Sequence, residues 1–179
     1  ACASANPCLP ASPSSMTAPT IIRAATLTDL DFIVDANAAM AFETEYKKLD
    51  HAVLTQGVER VLTEPGLGFY RIAERDGVAV GCLMVTCEWS DWRNGNWWWL
   101  QSVYVIPPAR RSGVFRALYR DTERSARETE GVVGLRLYVE KENRIATRTY
   151  VSLGMRDSGY KLLQAGWVEA KLQTGDGNS

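Results

Sequence analysis

WWWLQSVYVIPPARRSGVF, Trp97 to Phe115, passes from an uncharged apolar run through two prolines to a glycine turn and then into a helical pattern. Trp97 to Ile106 is aromatic, aliphatic and β-branched, as expected of a central strand covered on both faces. Pro107 and Pro108 cannot donate to a ladder and stop it. Beyond Arg110-Arg111-Ser112-Gly113, the spacing of Val114, Leu118, Thr122 and Ala126 predicts a helix with one apolar stripe. The order is therefore strand, turn, helix.

A helix start reached through a glycine turn leaves backbone N–H groups unpaired, and the helix dipole favours an anion there. Arg110 and Arg111 add positive charge. Local chemistry allows two readings, a site for a pyrophosphate or an ordinary strand-to-helix turn with solvated arginines.

Two motifs carry a family resemblance. Val103-Tyr104-Val105-Ile106-Pro107 followed by Arg110-x-x-Gly113-x-Phe115 and Leu118 resembles the acetyl-coenzyme A signature of the GNAT N-acetyltransferases, Q/R-x-x-G-x-G/A. Phe115 departs from the small last position, so its side chain must point into the core if its N–H is to face a ligand. Downstream, Leu135 to Met155 resembles the family's next strand and helix, with the pattern Asn143-x-x-Ala146-x-x-x-Tyr150-x-x-x-Gly154-Met155. The resemblance spans roughly Ile21 to Tyr160.

The resemblance implies an α/β domain with a mixed, mostly antiparallel central sheet, a splayed parallel strand pair and flanking helices. It implies acetyl-coenzyme A as cosubstrate and a primary amine of a small molecule as acceptor. Pyrophosphate would be held by Arg110, Arg111, Ser112, Gly113, Val114, Phe115 and Arg116. The pantetheine arm would lie along the central strand at Val103, Tyr104 and Val105, and a backbone N–H there would polarise the acetyl carbonyl. Asn143 would contact coenzyme A, and Tyr150 would serve as general acid to the departing thiolate. No metal is implied.

The amine must be neutral to attack, so a base or a water chain has to take its proton. Some relatives place a glutamate on the central strand, where this chain has Gln101 and Ser102. The alternatives are Glu88 and Asp91 before that strand and Glu43 and Glu45 at the end of the first helix; Glu88 and Glu45 are preferred. Trp89 and Trp92 beside two acids could form an aromatic and acidic pocket for a cationic amine, whereas Trp97 to Trp99 are expected in the core.

Composition is compatible with this reading. The chain has 179 residues, 46% of them hydrophobic, enough for one domain with its own core. A formal charge of −1 offers no basic stripe for nucleic acid, and no apolar run approaches a membrane span. Residues 1–19, rich in Ala, Ser and Pro, are expected to be a disordered leader, with Met16 as a natural start. Residues 20–171 would form the domain and 172–179 a flexible tail. Cys2, Cys8, Cys82 and Cys87 give no disulfide or zinc framework, which suits a reduced, cytoplasmic setting. His51, the one histidine, has no apparent partner. A homodimer is left open.

Along the rest of the chain, Thr20 to Ala24 reads as a short strand. Thr28-x-x-Asp31 has capping-box spacing at the start of a helix. A second helix is predicted from Ala52 to Thr63. Gly68 to Glu74 and Val78 to Glu88 read as strands joined at Asp76-Gly77, with another hairpin turn at Asn94-Gly95. Gly134 to Val139 should pair in parallel with the central strand through a right-handed crossover. A last antiparallel pair is expected within Arg156 to Lys171. Three other functions are weighed: a catalytically silent acyl-coenzyme A-binding regulatory module, which the retained Tyr150 argues against; use of another acyl-thioester, which Phe115, near the phosphates rather than the acyl end, does not discriminate; and a nucleotide enzyme, for which neither phosphate-binding glycine motif is present.

Overall fold

The computed structural model describes residues 18–139 and 143–166. Cys2, Cys8, Met16 and the predicted tail lie outside the described residues. The elements run β1 (Ile21–Ala24), α1 (Leu30–Glu45), α2 (His51–Thr63), β2 (Phe69–Arg75), β3 (Val78–Ser90), β4 (Gly95–Val105), α3 (Val114–Glu128), β5 (Val132–Leu137) and α4 (Arg144–Ser152). The sheet order is β1-β2-β3-β4-β5. Each of the first four strands pairs antiparallel with its neighbour, and β4 and β5 are parallel. This is the mixed sheet expected from the sequence.

The sheet is covered on both faces. One cluster joins Leu83, Val85, Trp98 and Leu100 to Val114, Leu118 and Ala126 of α3, with Leu153 at the end of α4. The other joins Ile72, Cys82 and Tyr104 to Ile33, Val34 and Val58 of α1 and α2. Val114, Leu118, Thr122 and Ala126 are buried, as their spacing predicts. Burying a large apolar side chain contributes about 1.5–3 kcal/mol, whereas a helical ion pair contributes roughly 0.2–0.5 kcal/mol. The inner stripe therefore fixes α3, rather than surface pairs such as Arg127–Glu123.

Local chemistry sets the element ends. The β2–β3 turn uses Asp76 and Gly77 at φ 48° and 75°, a turn matched to the twist of its strands. Asp50 caps α2, accepting from the N–H groups of Ala52 and Val53. In β4, Ser102 at φ 46° is the extra residue of a bulge: Cys82 pairs with Tyr104 and Met84 with Gln101, so Leu83 alone faces Ser102 and Val103.

Four expectations are corrected. The capping box before α1 is Thr26-x-x-Asp29, not Thr28-x-x-Asp31. Thr26 N–H donates to Asp29 Oδ2 at 2.8 Å, and buried Asp29 also takes two bonds from Arg23, an attraction that Asp31 lacks. The β3–β4 connection is not a two-residue turn: Ser90 pairs with Gly95 across a one-turn 3-10 segment, Asp91–Arg93, closed by Asn94 at φ 46°. Of the tryptophan run only Trp98 is buried, while Trp97 and Trp99 are half-buried. They lie on the α1 side of the sheet, where guanidinium groups rather than a helix cover them. Finally, residues 156–166 form no strand, and Tyr160, Leu162 and Leu163 are exposed; 167–171 lie outside the described residues.

Candidate active site

The turn into α3 is built for exposed backbone. Arg111 and Gly113 both take the left-handed conformation, at φ 60° and 88°. Buried Arg75 reaches under the turn, with Nη2 donating to the Ser112 carbonyl at 3.0 Å. Ser112 Oγ donates to the Ala109 carbonyl at 2.6 Å. Gly113 is the N-cap, and its carbonyl accepts the Ala117 N–H. Helix geometry therefore leaves the N–H groups of Val114, Phe115 and Arg116 without intrahelical acceptors. A Cβ built on Gly113 meets nothing within 4 Å, so the turn needs glycine for its backbone angle and leaves open space above it. Arg111 and Arg116 stand exposed beside it. These features fit a diphosphate.

Arg110 is engaged elsewhere. Its Nε donates to the Val105 carbonyl at 2.8 Å, and its Nη2 lies 2.7 Å from Glu43 Oε2 at the end of α1. Its guanidinium covers the Tyr104 ring at 5.3 Å, and the Tyr104 hydroxyl donates to Glu43 Oε1 at 3.0 Å. Burial, reinforced by Glu43, raises the Tyr104 phenol above its ordinary value. Glu43, distant in sequence from Tyr104 and Arg110, thus ties the first helix to the central strand and the turn.

The β4–β5 ladder stops early. Pairing runs from Asn96↔Val132 to Leu100↔Leu137, yet β4 continues to Val105. Ile106 N–H donates to Val80 on β3, so by strand alternation the backbone groups of Val105 and Val103 face the other way, into the gap beyond β5. The splay is where the sequence motif puts it. Gly134 keeps the paired part close: a Cβ there would lie 2.5 Å from Trp97 Cζ3.

Asn143 is the N-cap of α4, and its Oδ1 accepts the Ala146 N–H at 3.0 Å. Gly154, at φ 96°, follows its last turn. Tyr150 is half-buried, and its ring meets Phe115 edge-on, with centroids 5.5 Å apart at 77°. Phe115 packs against the α3-side core, as required of a bulky residue at that position. Burial raises the Tyr150 phenol, which holds it protonated.

The candidate bases are dispersed. Glu88 Oε1 takes Arg136 Nη1 at 2.7 Å, and its Oε2 accepts the Trp99 indole N–H. Arg136 stacks on Trp97 at 4.2 Å, and Trp99 stacks on Tyr138 just beyond the last paired residue of β5. Glu45 is exposed and paired with Lys47. Asp91 bonds the Trp92 N–H within its own turn. Trp92 is 84% and Trp89 60% exposed, so these rings do not enclose a pocket. Sequence reasoning missed Arg75, Arg136 and Tyr138; their roles come from long-range contacts with no local signature. Among the described residues no cluster of three metal-ligating side chains occurs, and no helix is long and apolar enough to cross a membrane.

A parallel pair that splays beyond Leu100 and a glycine turn that leaves helix N–H groups unpaired are features suited to an acyl-thioester transferase. The Acetyltransferase (GNAT) family profile matches residues 31–155, and the chain belongs to that family. A solved structure described as a possible acetyltransferase from Clostridium difficile 630 is 43% identical, covers 84% of this chain and 99% of its own, and superposes with a TM-score of 0.79. Two others share the fold at 18% identity. One is the aminoglycoside N-acetyltransferase AAC(6')-Iy in complex with CoA, covering 83% of this chain and 95% of its own at a TM-score of 0.66. The second is a GCN5-related N-acetyltransferase from Ralstonia eutropha JMP134, covering 82% and 99% at 0.65. No curated protein matches the chain. Family membership indicates acetyl-coenzyme A as the cosubstrate.

Proposed function

We propose that this protein transfers the acetyl group of acetyl-coenzyme A to a primary amine of a small molecule by direct attack in a ternary complex. The observations that support the reading are the β4–β5 splay, the Arg111–Arg116 turn at the start of α3, and the contact of Tyr150 with Phe115 of that turn. In this reading the turn's N–H groups and the Arg111 and Arg116 guanidinium groups hold the pyrophosphate, Val103 and Val105 hydrogen-bond the pantetheine amides, and Asn143 contacts the cofactor from α4. Arg110 must exchange its Glu43 and Val105 partners to take part, whereas Tyr104 keeps its side chain on the α1 side.

The nitrogen lone pair attacks the acetyl carbon, a C–N bond forms and the C–S bond breaks. A β4 backbone N–H stabilises the charge on the carbonyl oxygen. The departing thiolate, with a pKa of roughly 8.5 for a simple thiol, takes the proton of the Tyr150 phenol. The ammonium proton leaves through water to a carboxylate. Glu88 is favoured over Glu45 because its partners Trp99 and Arg136 lie beside the splay, while Glu45 sits exposed with Lys47. The acceptor is proposed as a small molecule because AAC(6')-Iy, which shares the fold, is solved with the bisubstrate analogue CoA-S-monomethyl-acetylneamine. A reduced, cytoplasmic setting belongs to the same proposal and is supported by free Cys82 and Cys87.

The test is a calorimetric titration with acetyl-coenzyme A, followed by a thiol-release screen of primary amines. Micromolar binding and amine-dependent thiol release are expected. Binding without turnover on any amine would favour a silent acyl-coenzyme A-binding module, and no binding would refute both.

A further inference from the structure

We infer that Phe115 is a positioning residue for Tyr150, a role resting on the reading of Tyr150 as the acid. Among the described residues, no hydrogen bond orients the Tyr150 hydroxyl. Its ring is instead set by packing, and the aromatic contact it makes is the edge-on one with Phe115, at 5.5 Å and 77°. Edge-to-face pairs at this separation contribute beyond simple burial and hold a definite angle. Phe115 is itself fixed from behind: it packs against the α3-side core and lies 6.3 Å from the buried Tyr119 ring.

The position has a second property. Phe115 is the second residue of α3, so its own N–H belongs to the diphosphate turn while its side chain touches α4. One residue therefore connects the turn that would hold the cofactor to the phenol that would protonate the leaving sulfur. A small residue here would leave Tyr150 against open space on that side and let its ring rotate. The aromatic side chain that breaks the glycine-turn motif thus supplies an angle that the motif alone does not.

The test is a double-mutant cycle, with Phe115→Ala and Phe115→Leu made in the wild type and in Tyr150→Phe. Phe115→Leu preserves apolar volume in case the alanine variant does not fold. At saturating substrates, Phe115→Ala should lower kcat about 10-fold and Phe115→Leu about 3-fold. The calorimetric affinity for acetyl-coenzyme A should stay within about 3-fold, and both losses should vanish in the Tyr150→Phe background. Independently of turnover, NMR titration of the Tyr150 ring carbon should show the phenol ionising at lower pH in Phe115→Ala, because water gains access, and by less in Phe115→Leu, which fills most of the space. Equal losses in both backgrounds, or a loss confined to cofactor affinity, would overturn the positioning role and leave Tyr150 as acid. A fully active Tyr150→Phe would overturn the acid assignment and the positioning role with it.

Discussion

Arg110 Nη2 lies 2.7 Å from Glu43 Oε2, so the arginine that opens the glycine-turn motif is neutralised by the end of the first helix. Both side chains are about two-fifths exposed, and such pairs contribute roughly 0–1 kcal/mol to stability. A cofactor phosphate would have to compete with Glu43 for this charge. Glu43→Gln should therefore tighten acetyl-coenzyme A binding by about 2- to 5-fold at low salt, with the gain disappearing near 0.5 M salt. Calorimetry at two ionic strengths measures it. Weaker binding in Glu43→Gln would mean that the pair shapes the turn rather than competing for it.

Tyr150→Phe should lower kcat by about 10² to 10⁴ and leave acetyl-coenzyme A affinity nearly unchanged. The phenol is raised above its ordinary value by burial alone. An acid must be protonated to act, and a raised pKa keeps it so to higher pH. The midpoint of any loss of activity from Tyr150 ionisation should therefore lie above the ordinary phenol value of about 10 in a pH–rate profile of kcat. An alkaline limb at lower pH that Tyr150→Phe does not remove would belong to another group.

The fold was legible where a signal is local. Apolar run, double proline and glycine turn placed β4 and α3, and Asp76-Gly77 placed the β2–β3 turn, because strand period, missing donors and positive φ are written in neighbouring residues. The helix that carries Tyr150, and Asn143 as its N-cap, were legible through their spacing and the glycine that follows. What was not legible depends on partners far along the chain. Asp29 rather than Asp31 completes the capping box before α1 because Arg23 on β1 is there to meet it. Trp97 and Trp99 are apolar in any sequence reading, yet Arg136, supplied by the next parallel strand, covers them instead of a helix. The same arginine occupies Glu88, and Arg110 occupies Glu43, so a carboxylate's neighbours, which decide its use as a base, are known only after folding.

Gly113 takes φ 88° in open space, so a substitution there is opposed by backbone strain rather than by collision. Gly113→Ala should cost about 1–2 kcal/mol, seen as a fall in Tm of roughly 2–8 °C, while acetyl-coenzyme A still binds. Gly113→Asp adds a negative side chain beside the N–H groups of Val114 to Arg116 and should abolish micromolar binding. Thermal shift with and without acetyl-coenzyme A separates the two effects. Undiminished binding in Gly113→Asp would remove the turn from the cofactor site.

Asp29 is buried, accepts two bonds of 2.8 Å from Arg23 and bonds the Thr26 N–H. The Arg23 hydrogen bonds, opposed by burial, hold its carboxyl below the ordinary carboxylate range. A carboxylate whose folded pKa lies below its unfolded value binds fewer protons when folded. Its stabilisation is fully present above the unfolded value, roughly pH 4, and is lost as pH falls through the folded one. Asp29→Asn keeps the shape but removes the charge and should lower stability at pH 7 by about 1–3 kcal/mol. The difference from wild type should hold from pH 7 down to about pH 5 and then shrink as the medium is acidified further. Urea unfolding of both proteins at pH 7, 5 and 3 measures this. A gap that stayed constant to pH 3 would show that shape and the capping bonds, not the ionised pair with Arg23, anchor β1 to the start of α1.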